Sequence, residues 1–70
     1  MTFEDADRAL KAAGYAQGYS KVVIGGWDLA RTPLSYCFVG VVIGPRRVVN
    51  VDVVVWSGLV RQVERCENET

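Results

Sequence analysis

Two stretches decide the fold of this chain: LSYCFVGVVI at Leu34–Ile43 and VVNVDVVVW at Val48–Trp56. A surface strand normally alternates apolar and polar residues, because one of its faces meets water. In both of these stretches the odd-numbered and the even-numbered positions are mostly apolar, which predicts strands that are apolar on both faces. The chain offers one short helix to cover such a sheet. We therefore expect a second apolar face, and this face needs a partner.

The length and charge of the chain limit the classes of function. Its 70 residues are enough for one small domain, over 1–70, with a frayed tail at 66–70. A domain of this size buries only about 60% of its unfolded surface, so disulfides, a metal or self-association usually stabilise it. Eight basic and eight acidic residues give a formal net charge of zero, which disfavours a nucleic-acid partner.

The N-terminal sequence MTFEDADR is acidic where a signal peptide would be basic, and no apolar run approaches the roughly 20 residues of a membrane-spanning helix. These features predict a cytoplasmic protein with no membrane partner. In that compartment we expect Cys37 and Cys66 to be free thiols. The sequence contains no histidine, the commonest metal ligand and general base. We therefore expect no metal site, no cofactor and no enzymatic activity.

Local signals predict the secondary structure. Thr2 and Asp5 form a capping box, and apolar residues at helical spacing extend the helix from about Phe3 to Ala13, before Gly14. Four strands are predicted at 21–27, 34–43, 47–56 and 59–66. The predicted fold class is α+β, with one N-terminal helix packed on a four-stranded antiparallel sheet as an α-β-β-β-β meander.

Glycines give further local predictions. The pair Gly25-Gly26 suggests a bulge or an early end to the first strand. The pair Ser57-Gly58 is consistent with a two-residue hairpin loop between the third and fourth strands. Gly40 and Gly44 form a G-x-x-x-G spacing by accident, in a segment that is too short and too β-branched for a membrane helix.

Aromatic side chains give the best candidate for a binding surface, because aromatics are enriched in protein interfaces. The predicted partner-binding residues are Tyr36, Phe38, Asn50, Asp52, Val54 and Trp56. Within this set the polar pair of the third strand would supply specificity. The alternative is that the aromatics line a core. For Asp52, the expected environment is solvent or an arginine on a neighbouring strand, such as Arg61.

These features predict a small non-enzymatic protein-interaction module that binds a larger protein. An inhibitor of the phage or mobile-element type, comparable to anti-CRISPR proteins, is its most concrete version. A homodimer through the same face is also expected, because a two-fold contact would bury the patch twice. The alternative function is a small nucleic-acid-binding module, with basic contacts from Arg46 and Arg47 at a hairpin and Arg61 and Arg65 on an edge strand.

The stretch VNVDVVVWSGLV at 49–60, with a helix and a short meander before it, resembles the PepSY-type inhibitory domain. The resemblance implies an inhibitory domain as a further alternative. The chain departs from that family in the longer spacing from Asp52 to Gly58, and PepSY proteins are generally exported. No residue role is therefore carried over from the family.

Overall fold

The computed structural model describes residues 1–66, which form one helix and a four-stranded antiparallel sheet. The elements are α1 Phe3–Ala12, β1 Lys21–Ile24, β2 Ser35–Val42, β3 Val48–Val54 and β4 Val60–Val63. The strand order is β1-β2-β3-β4, so each strand lies beside its neighbour in sequence. The predicted α-β-β-β-β meander is confirmed. Within residues 1–66, no helix is long and apolar enough to cross a membrane.

The helix begins at the predicted capping box. The Asp5 N–H donates to Thr2 Oγ1 at 3.3 Å, and the Thr2 N–H donates to the Asp5 carboxylate at 2.9 Å. The bond from the Thr2 backbone is the main reason that the pKa of the Asp5 carboxyl lies below its usual value. At the other end, Gly14 follows the C-cap and has a φ of +103°, which favours glycine.

The core lies between α1 and one face of the sheet, here called the helix face. Its fully buried side chains are Ala6, Leu10, Phe38, Val41, Val51 and Val53. Tyr19 packs edge-on against Phe38, with ring centroids 4.8 Å apart, and its hydroxyl donates to the Asp7 carboxylate at 2.9 Å. Aromatic and hydrogen-bonded contacts therefore join the connection before β1 to both the helix and the sheet.

The connections after β1 and after β3 are both longer than the predicted strands at 21–27, 47–56 and 59–66 imply. β1 ends at Ile24, so the early end suggested by Gly25-Gly26 is confirmed. β3 ends at Val54 and β4 begins at Val60, which leaves residues 55–59 between them. The predicted two-residue loop at Ser57-Gly58 is therefore wrong. In the longer loop, the Gly58 N–H donates to the Val54 carbonyl at 2.7 Å.

A β-bulge shifts the register between β2 and β3. On the hairpin side of the bulge, Val41 pairs with Val49. On the other side, Phe38 pairs with Val51. Between these two pairs, two residues of β2 lie opposite a single residue of β3.

The two β2 residues in the bulge are Val39 and Gly40, and the residue opposite them is Asn50. Gly40 has a φ of +71°, and its N–H donates to Asn50 Oδ1 at 3.2 Å. One extra residue in a strand reverses the face to which the following side chains point. Because of this extra residue, Phe38 and Val41 both face α1, although one residue number is even and the other is odd.

Candidate functional site

The face of the sheet away from α1, here called the open face, is defined by three cross-strand neighbours. Cys37 of β2 pairs with Asp52 of β3, and Asp52 pairs with Arg61 of β4. Residues directly opposite each other on neighbouring antiparallel strands point to the same side of the sheet. The open face therefore carries a cysteine, a carboxylate and a guanidinium group in one row.

The predicted binding surface divides between the two faces. Tyr36 and Phe38 pair with valines of β3 that belong to the helix face. Phe38 is fully buried, and Tyr36 packs against the core. The prediction that these aromatics share a binding face with Val54 and Trp56 is therefore wrong. Without the bulge, the hairpin register would have placed all four on one face. With it, the alternative that the β2 aromatics line a core is correct.

Asn50 lies on the open face, but other parts of the chain occupy its amide group. Its Oδ1 accepts the bond from the bulge at Gly40, and its Nδ2 donates to the Glu64 carbonyl at 3.2 Å. Asn50 thus links the bulge to the segment that follows β4. This contact gives Asn50 a structural role that the sequence analysis did not predict.

The segment after β4 crosses the open face and is covalently attached to it. Cys66 forms a disulfide with Cys37, and the two Cα atoms are 5.7 Å apart. The expectation of free thiols at these positions is therefore wrong, and so is the expectation that Cys66 begins a frayed tail. Residues 67–70 lie outside the described part of the chain. Below the crossing segment Cys37 is only 2% exposed, so the chain covers part of its own open face.

Asp52 lies largely buried at the centre of the open face. Its side chain is 13% exposed, and its Oδ2 is 3.8 Å from Nη2 of Arg61, whose side chain is 59% exposed. The expectation that Asp52 meets an arginine on a neighbouring strand is confirmed. A separation of 3.8 Å suits a loose ion pair but is too long for a hydrogen bond.

A pocket of about 340 Å³ opens on this face, within the range of about 300–1,000 Å³ that is usual for ligand sites. Its lining includes the apolar side chains of Leu34, Val54 and Trp56 and the charged side chains of Arg61 and Arg65. The Trp56 side chain is 85% exposed and Leu34 is 45% exposed. Apart from Leu34, every one of these residues is a candidate site residue predicted from the sequence. No signal marks Leu34, because it is one of many apolar residues in its stretch.

The four predicted basic contacts are divided between the pocket and a turn. Arg61 and Arg65 line the pocket on the open face. Arg46 and Arg47 are exposed in the turn between β2 and β3 and do not line that pocket. The pocket therefore contains two of the four predicted basic residues.

No protein-family model, curated protein or solved structure matches this chain. The resemblance to the PepSY-type domain gains no support from these comparisons. The geometry of the open face is what bears on function.

Proposed function

We propose that this chain is a non-enzymatic module that binds a larger protein through the open face. The observation that carries the proposal is the exposure of Trp56, 85% accessible, beside Leu34 at the edge of a pocket. Large aromatic side chains act as anchors in protein interfaces, where they fill pockets and exclude water. Here an exposed anchor and a cavity lie side by side.

The surroundings of Trp56 support binding more than catalysis. The pocket contains the carboxylate of Asp52, but this group lies beside the guanidinium of Arg61. Among its lining residues within 1–66, Asp52 is the only acid. General acid–base catalysis by carboxylates usually needs two groups with different proton affinities. The pocket is better suited to recognising a partner group than to transferring a proton.

The rigidity of the pocket also favours binding. Its lining includes the disulfide between Cys37 and Cys66, and the neighbouring segment is held by the hydrogen bond from Asn50 to the Glu64 carbonyl. A surface that is already ordered loses less conformational entropy when a partner binds. The most concrete form of this function is an inhibitor that occupies a site on a larger complex, as anti-CRISPR proteins do. The small size of the chain and the exposed Trp56 on the open face are compatible with that role.

The proposal is tested by affinity capture from a lysate of the organism that encodes the chain. The baits are the wild type, Trp56→Asp and the control Leu29→Asp. Leu29 is fully exposed in the loop between β1 and β2 and does not line the pocket. We expect a captured protein that is lost with Trp56→Asp and retained with Leu29→Asp. Loss with neither variant, or with both equally, would argue against the open face as the binding site.

A homodimer through the open face is a second proposal for the same surface. Because Tyr36 and Phe38 belong to the helix face, the dimer contact would have to rely on Val54, Trp56 and Leu34. Sedimentation equilibrium of the wild type and of Trp56→Asp tests it. A dimer that dissociates in the variant supports a second copy as the occupant. A monomeric wild type leaves the open face to a different protein.

A further inference from the structure

The pocket on the open face has an uneven lining, which restricts what can bind in it. The apolar side chains of Leu34, Val54 and Trp56 line it together with the charged side chains of Arg61 and Arg65. Asp52 is the one acid among the lining residues within 1–66. Two guanidinium groups against one carboxylate leave an excess of one positive charge. The charged residues of the pocket are therefore complementary to an anion.

The guanidinium group of Arg61 is available to a second carboxylate. It approaches Asp52 no closer than 3.8 Å, which is beyond hydrogen-bond distance, and its side chain is 59% exposed. A guanidinium has five N–H donors in a planar fork, and that fork matches the two oxygens of a carboxylate. Asp52 thus orients Arg61 electrostatically without occupying its donors.

Arg65 is held near the same site by its two neighbours in sequence. The carbonyl of Glu64 accepts the hydrogen bond from Asn50, and Cys66 is bonded to Cys37. The backbone on both sides of Arg65 is therefore fixed to the sheet. A guanidinium group presented from such a segment loses less conformational freedom on binding than one on a free tail.

From this arrangement we infer that the pocket recognises an acidic side chain, Asp or Glu, with an apolar residue next to it on the partner. The carboxylate binds Arg61 and Arg65, and the apolar side chain packs on Trp56 and Leu34. The inference rests on the proposed function, since it specifies which chemical group of the partner enters the pocket.

Cationic and nucleic-acid ligands fit this pocket less well. A lysine or arginine of a partner would approach Arg61 and Arg65 before it reached the buried carboxylate of Asp52. A nucleic acid binds mainly through many phosphate contacts, and affinity grows with the number of charges neutralised. The pocket offers two guanidinium groups, and the chain as a whole has a formal net charge of zero. A single carboxylate next to an apolar group matches both the charged and the apolar residues of the lining.

The inference is tested with three blocked peptides: GLELEG, GLQLQG and GLKLKG. They differ only in the charge of the residues beside leucine. Binding is followed by two-dimensional NMR of the ¹⁵N-labelled protein, which separates the indole N–H of Trp56 from that of Trp27. We expect GLELEG to shift the Trp56 indole and the Arg65 side-chain N–H signals saturably. Affinity for GLQLQG should be about tenfold lower, as for loss of a charge-assisted hydrogen-bond pair. GLKLKG should produce no shift.

Matched protein variants test the residues. Arg65→Gln leaves the pair between Asp52 and Arg61 intact, so the fold is preserved, and it should weaken GLELEG binding by about tenfold. Arg61→Gln removes the charge partner of Asp52, so its folding is checked by thermal unfolding before binding is measured. Arg46→Gln, in the exposed turn outside the pocket, is the control and should leave GLELEG binding unchanged.

Several results would overturn the inference. They are equal binding of GLELEG and GLQLQG, stronger binding of GLKLKG, the absence of any shift, or unchanged affinity in Arg65→Gln. A larger effect of a single-stranded oligothymidine on the same signals, at about 150 mM salt, would assign the pocket to phosphate instead. The proposed function is judged separately. If Trp56→Asp abolishes partner capture while Arg65→Gln does not, the open face remains the proposed binding site, and the inference that the pocket binds an acidic side chain is rejected.

Discussion

Cys66 is disulfide-bonded to Cys37 across β3, and 29 positions of sequence separate the two residues. The bond joins the segment after the edge strand β4 to the inner strand β2. It therefore ties the end of the sheet to β2 across β3, and both of its cysteines line the pocket on the open face. For a domain of this size, with a small core, such a bond is a major source of stability.

Reduction of this disulfide is expected to lower the free energy of unfolding by about 3–4 kcal/mol, because a loop of this length constrains the unfolded chain by that amount. Urea unfolding of the wild type with and without a dithiol reductant measures the difference. The double variant Cys37→Ala/Cys66→Ala is the control, since its stability should not respond to the reductant. An identical unfolding curve for oxidised and reduced wild type would contradict a stabilising bond.

Phe38→Ala and Trp56→Ala should differ sharply in their effect on stability. Phe38 is completely buried between α1 and the sheet, so its truncation should cost about 3–5 kcal/mol. Trp56 is 85% exposed, so its truncation should change stability by no more than about 0.5 kcal/mol. Chemical unfolding followed by circular dichroism measures both. Similar losses for the two variants would contradict the division of aromatics between the two faces.

Gly40→Ala should be more destabilising than Gly58→Ala, although the two glycines have nearly the same φ, +71° and +72°. A left-handed conformation costs an alanine about 1–2 kcal/mol at either position. At Gly40 a Cβ would also lie 2.6 Å from Oγ and 3.3 Å from Cβ of Ser20, whereas at Gly58 the nearest atom is Met1 Cε at 3.7 Å. Relieving such overpacking typically costs about 1–3 kcal/mol more.

The comparison is made by urea unfolding, and it isolates the contact with Ser20 from the backbone strain. In the double variant Gly40→Ala/Ser20→Ala the hydroxyl is absent, so part of the additional loss should be recovered. If Gly40→Ala and Gly58→Ala are equally destabilised, the chain accommodates the Cβ without moving β2 and the bulge is not tightly packed.

The carboxyl of Asp7 should make stability depend on acid pH. Its pKa lies below the usual value of 3.8, chiefly because the Lys11 ammonium donates to it, with a second bond from the Tyr19 hydroxyl. The unfolded chain binds the proton more tightly, so this stabilisation is present above pH 3.8 and is lost as the pH falls through the folded value. Asp7→Asn should therefore cost about 0.5–1 kcal/mol near neutral pH, since the pair is close to the surface.

Urea unfolding of wild type and Asp7→Asn over a series of pH values measures this dependence. The two proteins should converge in stability as the pH falls below 3.8. A difference that stays constant through that range would show that the carboxylate charge is not the cause.

Local chemistry in the sequence was sufficient to predict the elements and their order. The capping box at Thr2 and Asp5 begins α1, and the short turn between β2 and β3 makes those two strands neighbours in the sheet. The sequence also identified Asp52, Trp56, Arg61 and Arg65 as exceptional residues. Each of these residues interrupts or borders an apolar strand, and such a break in the apolar pattern can be seen in the sequence itself.

Only the tertiary structure decided which residues share a face. Successive side chains of a strand point to opposite faces of the sheet, so odd and even residue numbers separate the two faces within one strand. They do not say which residues of the next strand lie on the same face. The bulge at Gly40 shifts that relation by one residue, which sends Tyr36 and Phe38 to the core and leaves Trp56 exposed. A glycine within a strand is a signal for a bulge, but it does not give the register of the partner strand.

The disulfide also could not be predicted from the sequence. Cysteine count and spacing do not fix a pairing, and the expected compartment argued for free thiols. The bond forms because the segment after β4 turns back over β3 and brings the Cα of Cys66 to 5.7 Å from that of Cys37. Bond formation needs this proximity, and proximity between residues 29 positions apart is a property of the folded chain alone.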